Sequence, residues 1–268
     1  MKKAKPVALI EGGNLASSPL ARFRWPSETL GPVKASSFRL ASRIANRLQA
    51  GYPAKDYQEF NACTLILICV PDASLPSVLA ELSAAEIRWK RKALVLCSAW
   101  LDSSELGHFA ARGAAVGSLS PIPGLDDVRY LLEGDKLAVL EAKRLVENRR
   151  APAIAIERGL KPFYLAALTC TGPAAFALAA AASECLRHAG VAPLDSAAIL
   201  EKQLRKTLHS YLRAGRRNYQ SPRELSGQLT ALASRDTALA AYLDQSCRLA
   251  DRLLGEREEA RAAVAVRG

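Results

Sequence analysis

Histidine is scarce in this chain: His108, His188 and His209 are the only three in 268 residues, alongside a single methionine. A multi-histidine metal centre is thereby excluded. The six cysteines (Cys63, Cys69, Cys97, Cys170, Cys185, Cys247) include no CxxC pair and mostly sit in apolar runs. That spacing argues against a structural zinc site and against a disulfide framework, and fits a reducing cytoplasm. Acidic residues are also in deficit, 26 against 37 Lys and Arg, so the net charge is +11. Anions are attracted, but charge alone does not separate nucleotides, nucleic acid and acidic metabolites. The basic N-terminus lacks the apolar core of a signal peptide, since Val7 to Ile10 has only the length of a strand. Tyr164 to Ser183 carries no charge, and about 20 such residues could span a bilayer. Thr169, Thr171, Gly172 and Pro173 interrupt it, and most of the rest is alanine. A buried helix in a close-packed interface is the reading adopted, and no membrane partner is expected.

With 50% hydrophobic and 24% charged residues, the chain has an ordinary globular composition and room for one large domain or two small ones. Its first half alternates strand-like and helix-like stretches. Val7-Ala-Leu-Ile10 precedes Gly12-Gly13, and Pro32-Val-Lys-Ala-Ser36 reads as a second strand. Leu40, Ile44 and Leu48 recur at helical spacing. Thr64-Leu-Ile-Leu-Ile-Cys-Val70 is a continuous apolar run stopped by Pro71-Asp72, the pattern of a strand buried on both faces. A helix is expected over 75–87, a strand over 93–98, a helix over 104–111 and a strand over 114–118. This alternation predicts βαβ units and a doubly wound α/β architecture with a parallel sheet.

Leu137-Ala-Val-Leu140 and Ala153-Ile-Ala-Ile156 are read as strands flanking a helix that carries Ala142, Leu145 and Val146. After Gly159 nothing strand-like remains. Pro162 suits the first turn of a helix, and helical stretches are expected to about 188, over 196–214 and over 237–254, with a tail from 256 that frays. The predicted boundary is near 158: residues 1–158 form a dinucleotide-binding domain and 159–268 an all-helical one.

A dinucleotide fingerprint needs a strand, then Gly-x-Gly-x-x-Gly/Ala, then a helix whose N-terminus holds the pyrophosphate. Here the strand ends Ile10-Glu11-Gly12-Gly13-Asn14-Leu15-Ala16. Gly13 takes the middle glycine position and Ala16 the last, but Glu11 stands at the first. A Cβ there would crowd the turn, and a carboxylate would repel a diphosphate. Pro19 and Pro26 keep any following helix short. No acid ends the second strand to hold a ribose diol. Ser36, Ser37 and Arg39 stand there instead, which favours a 2′-phosphate and hence NADP; the bland alternative makes Arg39 a solvated helix-start residue.

From Thr64 onward the sequence resembles the uncharacterised 6-phosphogluconate-dehydrogenase-like oxidoreductases, relatives of pyrroline-5-carboxylate reductases. The resemblance rests on Leu65-Ile-Leu-Ile-Cys-Val-Pro-Asp72, on Cys97-Ser98 with Leu101-Asp-Ser-Ser-Glu-Leu106, and on Gly113-Ala-Ala-Val-Gly-Ser-Leu-Ser-Pro121. It continues through Leu131-Leu-Glu-Gly134, Lys161-Pro-Phe-Tyr164, Ala189-Gly190 and Leu225-Ser-Gly227. It implies a Rossmann-like domain followed by a helical domain that dimerises. NADP, NAD or a deazaflavin coenzyme would lie against Gly12, Gly13, Asn14, Leu15, Ser37, Arg39 and the Val70-Pro71-Asp72 loop. It also implies that Ser98, the loop of Ser118 to Pro121, and the helix of Lys161 and Tyr164 face a cleft between the domains. Histidines expected by that pattern are replaced by Leu96, Ser120 and Leu165, and an expected asparagine by Gly172.

The remaining chemistry is hydride transfer to a small carbonyl or imine, which needs positioning and a proton donor. Tyr164 is the candidate donor, and Lys161, one helical turn earlier, its electrostatic partner. Ser98 and Ser120 are candidate substrate hydrogen-bonders. The competing picture has Lys161 in solvent and Tyr164 packed with a satisfied hydroxyl. Two other function classes stay open. One is a catalytically impaired member that binds a ligand or partner; the other is a nucleic-acid-associated protein using Arg88-Trp-Lys-Arg-Lys92 or Arg213-Ala-Gly-Arg-Arg217 with Tyr219. Solvated surface charge is the plainer reading of both clusters.

Overall fold

The computed structural model describes residues 6–12, 20, 23, 25, 29–124, 127–147 and 151–265, without the side chains of 255–265. The strands are β1 (Val7–Glu11), β2 (Leu30–Lys34), β3 (Tyr52–Pro53), β4 (Leu65–Cys69), β5 (Ala93–Cys97), β6 (Ala115–Pro121), β7 (Tyr130–Gly134) and β8 (Ala153–Ile156). They form one sheet in the order β3-β2-β1-β4-β5-β6-β7-β8. Helices α1 (Phe38–Leu48), α2 (Leu75–Ala84), α3 (Gly107–Ala111) and α4 (Lys136–Glu147) punctuate it.

The central strands are apolar at every position because both faces are covered. Leu65, Leu67 and Cys69 pack on one face with Val7, Leu9, Val95 and Cys97, under Ala41 and Ile44 of α1 and Ala142 and Leu145 of α4. Ile66 and Ile68 pack on the other with Ala8, Ile10, Leu94 and Leu96, under Leu75 and Leu82 of α2 and Phe109 of α3. Each such buried aliphatic side chain contributes about 1.5–3 kcal/mol. This is the doubly wound, Rossmann-like architecture expected from the apolar runs.

Two expectations need correction. Leu137 to Leu140 is helical, the opening turn of α4, and the strand before it is Tyr130–Gly134. A four-residue apolar run is ambiguous between strand and helix; here the helix won, because Ala138, Ala142, Leu145 and Val146 recur at its spacing and are buried. The sheet is also not wholly parallel. β6 and β7 pair antiparallel, from Gly117 opposite Gly134 to Pro121 opposite Tyr130. The link between them is too short for the crossover a parallel pair requires. The two-residue β3 carries too little pattern to be read from sequence.

The chain divides into two compact units, Met1–Ala167 and Leu168–Gly268. α5 (Lys161–Thr169) opens in the first. A π-helical turn (Cys170–Ala174) containing Pro173 leads on to α6 (Ala175–His188). Then come α7 (Pro193–Ala214), α8 (Leu225–Ala233), absent from the sequence reading, and α9 (Thr237–Ala265). α9 continues through most of the tail expected to fray. Within this second unit α6 packs on α7 and α8 on α9. Phe176, within the uncharged stretch, is 79% exposed among the described residues. The run Lys161–His188 is long and apolar enough to cross a membrane by length and composition alone.

Candidate functional site

In a doubly wound sheet, ligands bind outside the carboxyl ends of the strands. At that edge β1 meets β4: the Gly12 N–H donates to Cys69 O at 3.1 Å. A Cβ on Gly12 would lie 2.5 Å from Pro71 Cδ, so only glycine lets the end of β1 lie against Pro71. Glu11, expected to crowd this turn, is the last residue of β1, in register with Cys69. It is buried rather than presented to solvent. Gly13, Asn14 and Leu15 lie outside the described residues, as do Ala16, Pro19 and Pro26.

Beyond β2, Ser36, Ser37 and Arg39 are all exposed. Ser37 caps α1, its Oγ accepting the Leu40 N–H at 3.2 Å. The first turn of α1 has no acidic residue. The positive end of its dipole and Arg39 therefore share one surface, which fits a phosphate ester better than a ribose diol.

The loops after β4 and β5 are tied together. Ser98 Oγ donates to Asp72 Oδ1 at 3.0 Å and accepts the N–H groups of Trp100 (3.1 Å) and Leu101 (3.0 Å). Its hydroxyl is thus fully engaged as a loop clamp, whereas the sequence reading reserved it for substrate. The second clamp is Lys161, fully buried, whose Nζ donates to Ser98 O at 2.7 Å and Leu101 O at 2.6 Å. Burial lowers its pKa, opposed by the nearby Glu133, Asp102, Cys97 and Asp72. The picture of a solvated Lys161 is therefore corrected: its stem and head both lie inside.

Glu133, also fully buried, is the hub that sequence reasoning missed. Its Oε1 accepts from Ser103 Oγ (2.7 Å) and Gly159 N (2.8 Å), and its Oε2 from Ser103 N (3.0 Å) and Ser118 Oγ (3.1 Å). Four donors satisfy a carboxylate that would otherwise be costly to bury. One connected network thus joins the ends of β4, β5, β6 and β7 to the start of α5. The available signal was Glu133 itself, a charge closing an apolar strand, which period-2 patterning does not explain.

Tyr164 follows one turn after Lys161 on α5. Its hydroxyl is buried and meets no partner among the described residues. Burial raises its pKa, opposite to the lowering expected from Lys161, whose Nζ is directed at the two carbonyls. Ser120 is buried on the sheet face that carries Leu96 and Ser118. Two of the histidine-replacing positions, Leu96 and Ser120, are thus neighbours inside the sheet.

The basic clusters resolve differently from each other. Trp89 and Lys92 are buried, with Lys92 Nζ capping the carbonyls of Phe60, Asn61 and Cys63, so the first cluster offers no stacking surface. Tyr219 of the second donates its hydroxyl to Asp251 at 2.8 Å. No group of metal-ligating side chains occurs among the described residues.

No protein-family model matches the chain, and no curated protein matches it in sequence. Solved structures do match in fold. An imine reductase from Aspergillus terreus has a TM-score of 0.63 at 16% identity, covering 100% of this chain and 96% of that one. An imine reductase from Myxococcus stipitatus, in complex with NADP+, has 0.61 at 15%, covering 92% and 94%. A protein from Thermotoga maritima has 0.62 at 18%, covering 94% and 99%. The chain has the fold of these reductases. The architecture implied by the family resemblance, a Rossmann-like domain followed by helices, is therefore present along nearly the whole chain.

Proposed function

We propose that this protein is an NADP-dependent oxidoreductase that reduces a small carbonyl or imine, with Tyr164 as proton donor. The observation that carries the reading is the Tyr164 hydroxyl: buried, unpartnered, and set on a helix whose first turn is locked by Lys161. Leaving such a group unpaired costs about 1–3 kcal/mol, a cost a substrate heteroatom would remove. The reductases that share the fold, one of them solved with NADP+, support the class of reaction.

The cofactor, when bound, supplies the hydride. Gly12 and the Val70-Pro71-Asp72 loop would flank its diphosphate and nicotinamide portions, while Ser37 and Arg39 would take the 2′-phosphate; NAD would lack that contact. The Lys161–Glu133 network holds the loops after β4 and β5 against α5, fixing Tyr164 relative to them. Because burial raises its pKa, Tyr164 keeps its proton at neutral pH and still releases it to an alkoxide, which is far more basic.

We assign residues 1–158 to cofactor binding and 159–268 to a helical dimerisation and substrate part. Phe176 and Leu178 on α6 and Leu208 and Leu212 on α7 are exposed, apolar area that a second copy would cover. The lack of any disulfide among the described residues suits a cytoplasmic enzyme.

The test is NADPH titration by its own fluorescence, followed by turnover on cyclic imines and small ketones. Binding with turnover is expected, and Tyr164→Phe should lower kcat about 100-fold or more with NADPH affinity unchanged. No NADPH binding would overturn the proposal. Binding without turnover would favour a ligand-binding role instead.

A further inference from the structure

The net charge of +11 is unevenly spread along the chain: residues 202–223 carry seven Lys and Arg and no Asp or Glu. Lys202 stands one helical turn before Arg205 and Lys206 on α7, a spacing at which like charges repel and weaken a helix. Elsewhere in the second unit exposed arginines are neutralised at that spacing, Arg187 by Glu184 and Arg248 by Asp244. Arg205 has Glu201, but Lys206 and Arg216 have no acidic partner among the described residues. An anion would remove the repulsion that the sequence leaves in place.

The fold builds a cleft around these two cations. Gly215 ends α7 at φ +59° and ψ −139°, a conformation that only glycine enters without strain, and the segment after it turns back along the helix. Asn218 Nδ2 donates to Ser210 Oγ at 2.9 Å, and Tyr219 donates its hydroxyl to Asp251 of α9 at 2.8 Å, so the returning segment is tied on both sides. The cleft has a volume of about 490 Å³, and its lining includes Lys206, Ser210, Tyr211, Arg216, Tyr219 and Leu254. None of the described residues that line it is acidic. Asp251 lies outside the lining, its Oδ1 accepting from the Tyr219 and Ser221 hydroxyls.

Small-molecule sites have this size and this mixture of apolar wall and converging polar groups. An ammonium and a guanidinium beside hydroxyl and amide donors match a phosphoryl group, a dianion with three acceptor oxygens. The two tyrosines supply aromatic surface for a planar ring. A second copy seated on the exposed Leu204, Leu208 and Leu212 would leave the cleft open, because Lys206 and Ser210 lie about a third of a turn or more around α7 from those leucines.

We propose that this cleft is a ligand site separate from the cofactor edge of the sheet, taking a small phosphate ester that carries a planar ring, of nucleoside monophosphate size. Lys206 and Arg216 hold the phosphate, and Tyr211 and Tyr219 receive the ring. All of these residues belong to the second unit and none takes part in the proposed reduction, so the site stands independently of the oxidoreductase reading.

Adenosine monophosphate is the probe, titrated by calorimetry into the full chain saturated with NADPH so that the cofactor edge is filled. Saturable binding at one equivalent per chain is expected. Lys206→Gln and Arg216→Gln should each raise its Kd about 3- to 30-fold and leave NADPH affinity unchanged, whereas Arg39→Ala should do the reverse. Tyr211→Ala should weaken the monophosphate more than ribose 5-phosphate, which lacks the ring. All three side chains are exposed, so the variants should melt with the parent. No binding to the NADPH-saturated protein, or binding that both glutamine variants leave unchanged, overturns the proposal. So does steeply salt-dependent binding of a single-stranded oligonucleotide without affinity for the monophosphate, since the patch would then be a nucleic-acid surface. Affinity that drops as protein concentration rises also overturns it, a second copy then filling the cleft. If NADPH itself fails to bind, the oxidoreductase reading falls, and the same titration without it, compared across the variants, still decides the role of the cleft.

Discussion

Glu133 Oε1 accepts the backbone N–H of Gly159 at 2.8 Å, two residues ahead of Lys161, whose own Nζ reaches back to Ser98 and Leu101. The end of β7 is thereby tied to the start of α5, and α5 in turn to the loop after β5. Neither group is exposed, and each interacts with the other electrostatically.

Removing Glu133 should therefore be severe. Glu133→Ala strands the Ser103, Ser118 and Gly159 donors and leaves Lys161 with less compensation. Each buried donor so stranded costs about 1–3 kcal/mol, together about 3 kcal/mol or more. Denaturant unfolding should show a midpoint shift of that size, and Glu133→Gln a smaller one.

Lys161 supplies a pH test. Its pKa is lowered in the folded chain from the usual 10.5, so with rising pH it loses its proton there before it does in the unfolded chain. The unfolded state then binds more protons, and stability contributed by this group rises with pH across that window. The neutral amine keeps two N–H groups for its two carbonyls, so the clamp survives. Lys161→Met lacks the titrating group. Its deficit relative to the parent should widen on raising pH toward 10.5, as measured by urea melts at successive pH values.

Gly134 stands at φ +131°, and a Cβ there would come within 2.3 Å of Val116 O and 2.4 Å of Gly117 Cα. Backbone atoms cannot yield as a side-chain end can. Gly134→Ala should cost roughly 2–4 kcal/mol through strain and parting of β6 from β7. A melting temperature close to the parent's would show that the hairpin is plastic.

Arg39 tests the cofactor assignment. Arg39→Ala should raise the Kd for NADPH by about 10- to 100-fold, the range of one charge-assisted hydrogen bond. NADH binding should hardly change, so the ratio of the two affinities is the measurement that matters.

Thiol chemistry checks the core. Burial pushes the Cys63 thiol up to about 11, and Cys69 and Cys97 are equally enclosed. These three should resist alkylation in the native protein and react only on unfolding, as mass spectrometry of labelled peptides would show.

The sequence by itself determined the central strands of the sheet and their wrapping. Runs such as Thr64 to Val70 are apolar at every position, and only a strand covered on both faces uses such a run. It also determined the helices after Gly159 apart from α8, and singled out Lys161 and Tyr164. It could not determine which way Lys161 points, because its partners are carbonyls 63 and 60 residues away. Nor could it show that Glu133 gathers Ser103, Ser118 and Gly159, or that Trp100 stays outside while Trp25 and Trp89 go in. Local pattern reports whether a position suits a face. Whether a charge is buried and satisfied, or an indole held in water on a clamped loop, depends on contacts between distant segments, and only the folded chain brings those segments together.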